Sequence, residues 1–567
     1  MNPNLDPTQD HYRGFLPRWS TGCREPENQS HLEGKMTASS AAKTARLGLV
    51  LFGIGLLGCS RPLQGQSAEP NGASGEAKTL RVLVTSDVAG FVEPCGCVKD
   101  QLGGLDRFAT ALLDAKRAHN SVFLEAGSLF IPRANVELAE RDELTMRAET
   151  LAEGMRTLGL LAWTPGTADA ALGESTLAQL AARSGASLIR PSTNAAPKQP
   201  QLVRDVSGIR VGFYGFHSQS TSSSSSAQDL AIQLRAAARE LEMKGAKLKV
   251  ALITAPHGTV TRAVHQAQEF QLVVVSNSET GLGADSDGEA PQLIDSTLVV
   301  HPPNHLRGFV TVDFIVKDGN FKFEDGSGVG REEERMQLGQ RIVELAERLK
   351  QWKQQNQDPA AIAAREADLK RLREKLTQLS KPVVAPQGSH FTVLSQAVGN
   401  NFEHNPDVKR TLDELGRRIN LSNRDKFAGL KAPPPVENQP TYVGVKVCES
   451  CHKPAAAFWR TTRHAGAYKT LVDKDRQYTL ECVGCHVTGY EQPGGSSVAD
   501  VETLKDVQCE NCHGPGSAHA QANSASFIKP KPERDLCATK CHHSPHVEST
   551  WNVNDAWPKI VGAGHGE

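Results

Sequence analysis

Cys448-Glu-Ser-Cys451-His452, Cys482-Val-Gly-Cys485-His486, Cys509-Glu-Asn-Cys512-His513 and Cys537-Ala-Thr-Lys-Cys541-His542 crowd the C-terminal end of a 567-residue chain. The first three repeat one spacing. Two thiols about one helical turn apart can each add to a vinyl group of one haem, and the histidine that follows reaches the iron from the same side. The pattern reads as c-type haem attachment, with redox chemistry set by axial ligands and burial. Zinc sites also use paired cysteines, and cysteines in an oxidising compartment can form disulfides. Neither role explains why histidine follows every pair. The expectation is haem c at four places, the fourth stretched by one spacer residue.

Covalent haem is attached outside the bacterial cytoplasm, so an export signal is expected. The apolar run 47–57 lies behind Lys43 and Arg46. It is too short to span a bilayer comfortably and has the size and basic flank of a signal-peptide core. It ends in Leu56-Leu57-Gly58-Cys59, which resembles a bacterial lipoprotein cleavage box, with Cys59 as the lipidated first residue. The alternative is a plain signal peptide with an incidental cysteine. Met36 stands where such a signal starts. That makes 1–35, including Cys23, a product of a mis-called start codon, 36–58 the signal and 59–78 a flexible Gly/Ser/Pro/Gln tether. A periplasmic or cell-envelope lipoprotein follows.

The formal net charge is −1, and no basic excess points to nucleic acid. Residues 79–327 alternate strand-like runs (Leu80–Thr85, Val122–Glu125, Ile209–Phe216, Leu248–Thr254, Leu272–Ser276, Thr297–His301, Val310–Val316) with helical stretches such as Leu105–Ala118, Val136–Leu158 and Asp229–Lys244. Alternation of this kind predicts a sheet covered by helices, and the Ser222–Ser226 run reads as a surface loop. In 328–385, Leu338, Ile342, Leu345, Leu349 and Trp352 recur at four-three spacing, and Ile362, Leu369, Leu372, Leu376 and Leu379 continue the pattern after Asp358-Pro359. Asp before Pro is a helix N-cap followed by Pro at the first helical position. Two charged amphipathic helices in an antiparallel hairpin are expected, either a spacer or a seam for homo-oligomers. Residues 386–440 read as a partly helical connector ending in a stiff Pro-rich linker, and 441–567 as the haem domain.

Each iron has a second axial position. His464, His519 and His565 are the leading candidates outside the motifs, with His543 and His546 behind them. Together with Tyr442-Val-Gly, Trp459, Cys482-Val-Gly-Cys-His-Val-Thr-Gly-Tyr490 and Val507-Gln-Cys-Glu-Asn-Cys-His-Gly-Pro-Gly516, this arrangement resembles the tetrahaem cytochrome c family typified by the nitrifier electron carrier downstream of hydroxylamine oxidation. The resemblance implies a mainly helical or irregular domain of closely stacked haems. Most would have two axial histidines (His452, His486, His513 and His542 paired with His464, His519 and His565), and one haem can be five-coordinate.

Thr85-Ser-Asp87-Val-Ala-Gly90 after the first strand, then Leu102-Gly-Gly-Leu-Asp-Arg107, resembles the start of the periplasmic nucleotidase branch of calcineurin-like metallophosphoesterases. The family's α/β sandwich holds two metals that activate water. Asp87 keeps the first ligand position, Ala89 stands where its partner histidine belongs, and Ser128 replaces the bridging aspartate. Pro165-Gly-Thr-Ala-Asp169 lacks the asparagine and histidine of the corresponding turn. His257 matches a ligand, while Ser276-Asn277 stands at the later Gly-His pair. One aspartate and one histidine are too few to hold two ions, so the resemblance implies a retained fold around a vestigial site. Cys95 and Cys97 receive no role; a bridge across one residue is geometrically awkward.

The leading reading is an exported, lipid-anchored multihaem carrier of single electrons that meets redox partner proteins, with the degenerate domain as scaffold or docking module. One rival is a haem reductase of a small nitrogen compound at a five-coordinate iron. The other is a working nucleotidase with an appended cytochrome, against which Ala89, Ser128 and Asn277 argue.

Overall fold

A computed structural model describes residues 77–94, 101–190, 201–217, 227–276, 285–355, 357–543, 547 and 551–565. The start at Met36, the signal at 47–57, Cys23, Cys59, Cys95, Cys97, the Ser222–Ser226 run, Asn277 and His546 lie outside them. Among the described residues no helix is long and apolar enough to cross a membrane.

In chain order the strands are β1 (Lys78–Ser86), β2 (Ser121–Gly127), β3 (Leu160–Pro165), β4 (Ser187–Leu188), β5 (Gln201–Val206), β6 (Ile209–His217), β7 (Leu248–Thr254), β8 (Leu272–Ser276), β9 (Glu289–Ile294), β10 (Thr297–His301), β11 (Gly308–Val316), β12 (Glu324–Asp325) and β13 (His390–Ala397). The helices of this part are α1 (Leu105–Arg117), α2 (Arg141–Leu158), α3 (Thr167–Ala170), α4 (Glu174–Ser184), α5 (Ala227–Met243), α6 (His257–Gln266), α7 (Val329–Gln354), α8 (Pro359–Leu379) and α9 (Pro406–Lys426). One sheet has the order β12-β13-β11-β1-β2-β3-β4 and the other β5-β6-β7-β8-β10-β9.

Strand period explains the layering. Leu80, Val82 and Val84 of β1 point to the same apolar layer as Leu248, Val250 and Leu252 of β7, so the two sheets face each other. Leu83 of β1 points the other way, into a layer with Phe108 of α1, Leu151 of α2, Leu177 of α4 and Leu415 of α9. Ala251 and Ile253 of β7 meet Leu234 of α5 and Val264 of α6. Both faces of the central strands are buried, which is why they read as unbroken apolar runs. Arg81 fixes the register of β1 on β11: its Nε and Nη2 each lie 2.7 Å from the carboxylate of its cross-strand partner Asp313.

Residues 386–440 are not simply a connector. His390–Ala397 pairs antiparallel with β11 along its whole length, and α9 buries Val408, Leu412, Leu415 and Ile419 beside α1 and α2 in the layer that covers the first sheet. The sheet assigned to 79–327 thus recruits residues from beyond the hairpin. The start of α9 repeats the device seen before α8. Asn405 accepts hydrogen bonds from the Asp407 and Val408 amides with Pro406 at the first position, as Asp358 accepts one from Ala360 ahead of Pro359.

α7 and α8 form the expected antiparallel hairpin. Lys353 pairs with Glu366 at 2.6 Å near its tip, and Lys375 with Glu334 at 2.5 Å near its base. Leu338 and Leu349 are buried on the seam. At the base, Arg331 donates to the Gln378, Leu379 and Lys381 carbonyls.

Candidate functional site

Beyond α9 the chain changes texture. Short helices follow one another: Val445–Glu449, Lys453–Trp459, Ala467–Val472, Leu480–His486, Cys509–His513, Ser517–Ala522 and Asp535–Lys540. The apolar cluster of this segment is small, with Tyr468, Leu471, Val483, Val487, Val498 and Val501 buried in it. So thin a core fits a domain completed by large apolar cofactors.

Each motif begins on one of these helices, which places its two thiols on one face. In the first, the His452 amide donates to the Cys448 carbonyl at 2.9 Å. In the fourth, the His542 amide donates to the Cys537 carbonyl at 2.8 Å, although one more residue lies between. The turn widens by one residue and still brings the histidine back over its first cysteine. Cys448 lies against Cys509 and Cys485 against Cys541, the helices 445–449 and 509–513 are in contact, and the Cys485 sulfur stands 3.8 Å from the Lys540 carbonyl oxygen. The first motif therefore packs on the third, and the second on the fourth.

The histidines carry the sharpest geometry. The rings of His452 and His519 have centroids 6.0 Å apart with planes at 28°. His464 and His542 stand 6.3 Å apart at 47°. Two imidazoles on opposite sides of one metal, with metal–nitrogen bonds of about 2 Å, place their ring centres about 6 Å apart. Nδ1 of His519 lies 2.9 Å from the Ser524 carbonyl, that of His486 2.6 Å from Ala467 and that of His513 2.7 Å from Lys529. A carbonyl only accepts, so Nδ1 carries the proton and Nε2 keeps the lone pair a metal takes. Trp551 lies flat on His542, 4.7 Å away at 4°. These residues fit haem c: paired thiols on one face, oriented imidazoles, and opposed rings at ligand spacing. His565 is exposed, and the ring it meets is Phe458 at 6.1 Å rather than a motif histidine. His543 directly follows His542.

Glu510, inside the third motif, has a role that sequence reading did not give it. It is 2% exposed and accepts hydrogen bonds from the Val443, Gly444 and Gly516 amides. Gln508 accepts from the Val445 amide at 2.6 Å. The approach to the first motif thus hangs on the third. The signal was the pair of polar residues flanking Cys509, Gln508 and Glu510, and it is visible only once their partners are known.

At the C-terminal ends of the parallel strands the second candidate cleft is occupied by its own side chains. Asp87 Oδ1 accepts from the Ser128 amide at 3.1 Å and the Ser276 hydroxyl at 2.8 Å. Both carboxylate oxygens of Asp169 accept from the Leu129, Phe130 and Ile131 amides. His257 stands instead beside Glu289 and His301, so the two residues singled out as a vestigial pair have separate partners. Glu125, fully buried beneath Asp87, has its pKa raised well above the usual value by burial, with the Asp87 and Asp169 charges adding. Burial raises Asp169 to about 7.

These shifts make stability depend on pH. A carboxyl whose pKa is raised on folding keeps a proton that the unfolded chain has lost. Stability therefore falls as pH rises from the unfolded value near 4 towards the folded one, and levels off above it. Glu125→Gln, which mimics the protonated form, should raise the melting midpoint by several degrees at about pH 8 and change it little at about pH 4.5. Equal shifts at both pH values would show that Glu125 is not the group responsible.

Known proteins resemble the two parts of the chain separately. Residues 447–514 match the family of cytochrome c554 and c-prime. Cytochrome c-554 of Nitrosomonas europaea is 40% identical over 91 residues, covering 13% of this chain and 39% of its own length. Among solved structures the 5'-nucleotidase precursor of Thermus thermophilus matches with a TM-score of 0.40, 15% identity and coverage of 74% of this chain and 71% of that one. The NAD nucleotidase of Haemophilus influenzae has a TM-score of 0.34 and 13% identity over 43% of this chain and 54% of its own. The chain thus spans 39% of the length of the curated relative and about half of the NAD nucleotidase. The cytochrome match includes the first three attachment motifs and His464, and stops short of His519 and the fourth motif.

Proposed function

We propose that the protein is an exported multihaem c-type cytochrome that passes single electrons, carried on an α/β domain whose phosphoesterase chemistry is lost. The observation that carries this reading is the pair of opposed imidazoles, His452 with His519 and His464 with His542, at 6.0 and 6.3 Å. Haem supplies the one-electron couple when bound. The protein's part is to hold the cysteines of each motif on one face and fix the tautomers of His486, His513 and His519 through backbone carbonyls. It also packs motif one on three and motif two on four, so that electrons have short steps to make. Cys448, Cys451, Cys482, Cys485, Cys509, Cys512, Cys537 and Cys541 would carry four haems, with His452, His486, His513 and His542 as proximal ligands.

A lipid on Cys59 would keep the protein at a membrane of the cell envelope, within reach of redox partner proteins, and the α7–α8 hairpin offers a seam for a second copy. Ala89 and Ser128 leave the old cleft without one histidine ligand and without the bridging aspartate, and Asp87 and Asp169 are taken up by internal hydrogen bonds; a scaffold or docking role follows.

Haem content decides the matter. Protein matured in a host that attaches haem c should give four haems per chain by pyridine haemochrome absorbance and intact mass. Three would remove the fourth motif, and none in an exported sample would return the cysteines to zinc or disulfides. A second reading, reduction of a small nitrogen compound at an open iron, draws support from His486 and His513. Among the described residues neither ring has a second imidazole set against it in the way His519 stands to His452 and His464 to His542. Carbon monoxide or nitrite binding to the native protein would favour it.

A further inference from the structure

Outside the haem motifs, three side chains converge at the edge of the second sheet. His257 opens α6, Glu289 opens β9 and His301 closes β10. Glu289 and His301 are direct cross-strand partners, and the ladder is irregular between Val299 and His301. Such an irregularity re-aims the side chain that follows it. Gly288 allows the tight approach: a Cβ there would stand 2.4 Å from the His301 carbonyl oxygen, and its φ is +78°. His257 Nδ1 lies 3.0 Å from one Glu289 oxygen and His301 Nδ1 3.3 Å from the other. The ligand atoms of all three lie within 4.8 Å of one another.

The bland reading is a histidine–glutamate ion pair, and the hydrogen bonding argues against it. Neither Nδ1 has a well-aligned hydrogen bond, although both are shielded from solvent and stand at ion-pair distance from Glu289. His301 is 9% exposed, so its nitrogen, without an aligned hydrogen bond, is a buried polar atom that destabilises the fold unless something binds it. Neighbouring ligands of a tetrahedral ion with bonds of about 2.0–2.2 Å stand about 3.3 Å apart, close to the two nitrogen–oxygen separations here.

We propose that His257, Glu289 and His301 form a mononuclear site for a borderline divalent cation, Zn2+ being the fitting member, with its fourth position open to water or a ligand. Two imidazoles and one carboxylate are a donor set that such ions take. The site does not restore the two-metal centre. Only His257 matches a ligand position of the phosphoesterases, while Glu289 and His301 come from a strand pair that carries none of the matched positions.

The test uses the full chain with its haems attached, so that the motif cysteines are occupied. After chelator treatment, incubation with Zn2+ and dialysis, elemental analysis should give one zinc per chain. His301→Ala and Glu289→Gln should fall to background, and His265→Ala, a surface histidine later on α6 that faces Asp295, should keep its zinc. Glu289 lies half exposed on an edge strand, so its variant retains the fold even where the His301 variant does not. X-ray absorption at the zinc edge should show nitrogen and oxygen ligands only. No zinc in the parent, undiminished zinc in Glu289→Gln, or sulfur in the zinc shell would each overturn the proposal.

Discussion

Arg147→Ala is expected to destabilise the folded chain by about 3–5 kcal/mol, the usual consequence of stripping one partner from a buried charge network. Arg147 lies on α2 and reaches in two directions. One guanidinium nitrogen stands 2.7 Å from Glu143, whose side chain is 4% exposed, and the other 2.7 Å from Glu481, the residue before Cys482. Glu143 also accepts from the Asn423 side chain at 2.8 Å and from the Leu480 amide at 3.4 Å. Asn423 in turn donates to the Tyr478 carbonyl at 2.9 Å. One cation and one carboxylate on α2 thereby hold α9 and the second haem motif together, and Arg476 adds an ion pair to Glu93 beside them. Without the guanidinium, Glu143 is left charged and buried. Urea unfolding followed by circular dichroism measures the loss, and limited proteolysis between 427 and 440 should accelerate as the cytochrome segment detaches. Arg147→Met with Glu143→Gln, which removes both charges, should recover most of the stability. An Arg147→Ala protein that melts with the parent would exclude this network as the joint.

The other large effect belongs to the opposed histidines. His519→Gly should leave one iron per chain five-coordinate, seen as a high-spin signal and carbon monoxide uptake rising from the parent's level by one per chain. His464→Gly should do the same for the iron held by the fourth motif. The two variants together should add, because the two ring pairs share no residue. His565→Gly should leave the spectrum as it was. A low-spin, carbon-monoxide-inert His519→Gly protein would contradict the pairing of His452 with His519.

The sequence carried the chemistry of the haem segment more fully than its geometry. Attachment motifs are local, so four of them could be read directly. The pairing of His519 with His452, 67 residues earlier by their numbering, and the contact of Cys448 with Cys509 depend on how short helices stack, which no period encodes. In the α/β part, β1, β7, β8 and β10 declared themselves as apolar runs because both faces of those strands are buried. β13 did not: Phe391 is buried while Leu394 is 61% exposed, so its pattern is that of an edge strand although it lies between β12 and β11. The joining of Glu289 with His301 was invisible because cross-strand register, not spacing, makes them neighbours. Asn405-Pro406 is a helix start by the same rule as Asp358-Pro359, but the helix behind it carries charge on most of its turns.

β12 and β13 lie side by side, with Glu324 opposite His390 and Asp325 opposite Phe391. The excursion that builds the α7–α8 arm therefore leaves the sheet and comes back at one rung. Whatever happens along that arm is invisible to the strands at its root, since both ends are pinned whether the arm is long or short. Adding or deleting matched turns on the two helices would change how far the arm extends and nothing about where the haem motifs sit. Reach and redox chemistry are thus adjustable separately, and related chains are expected to differ in the length of this arm sooner than in the sheets that hold it.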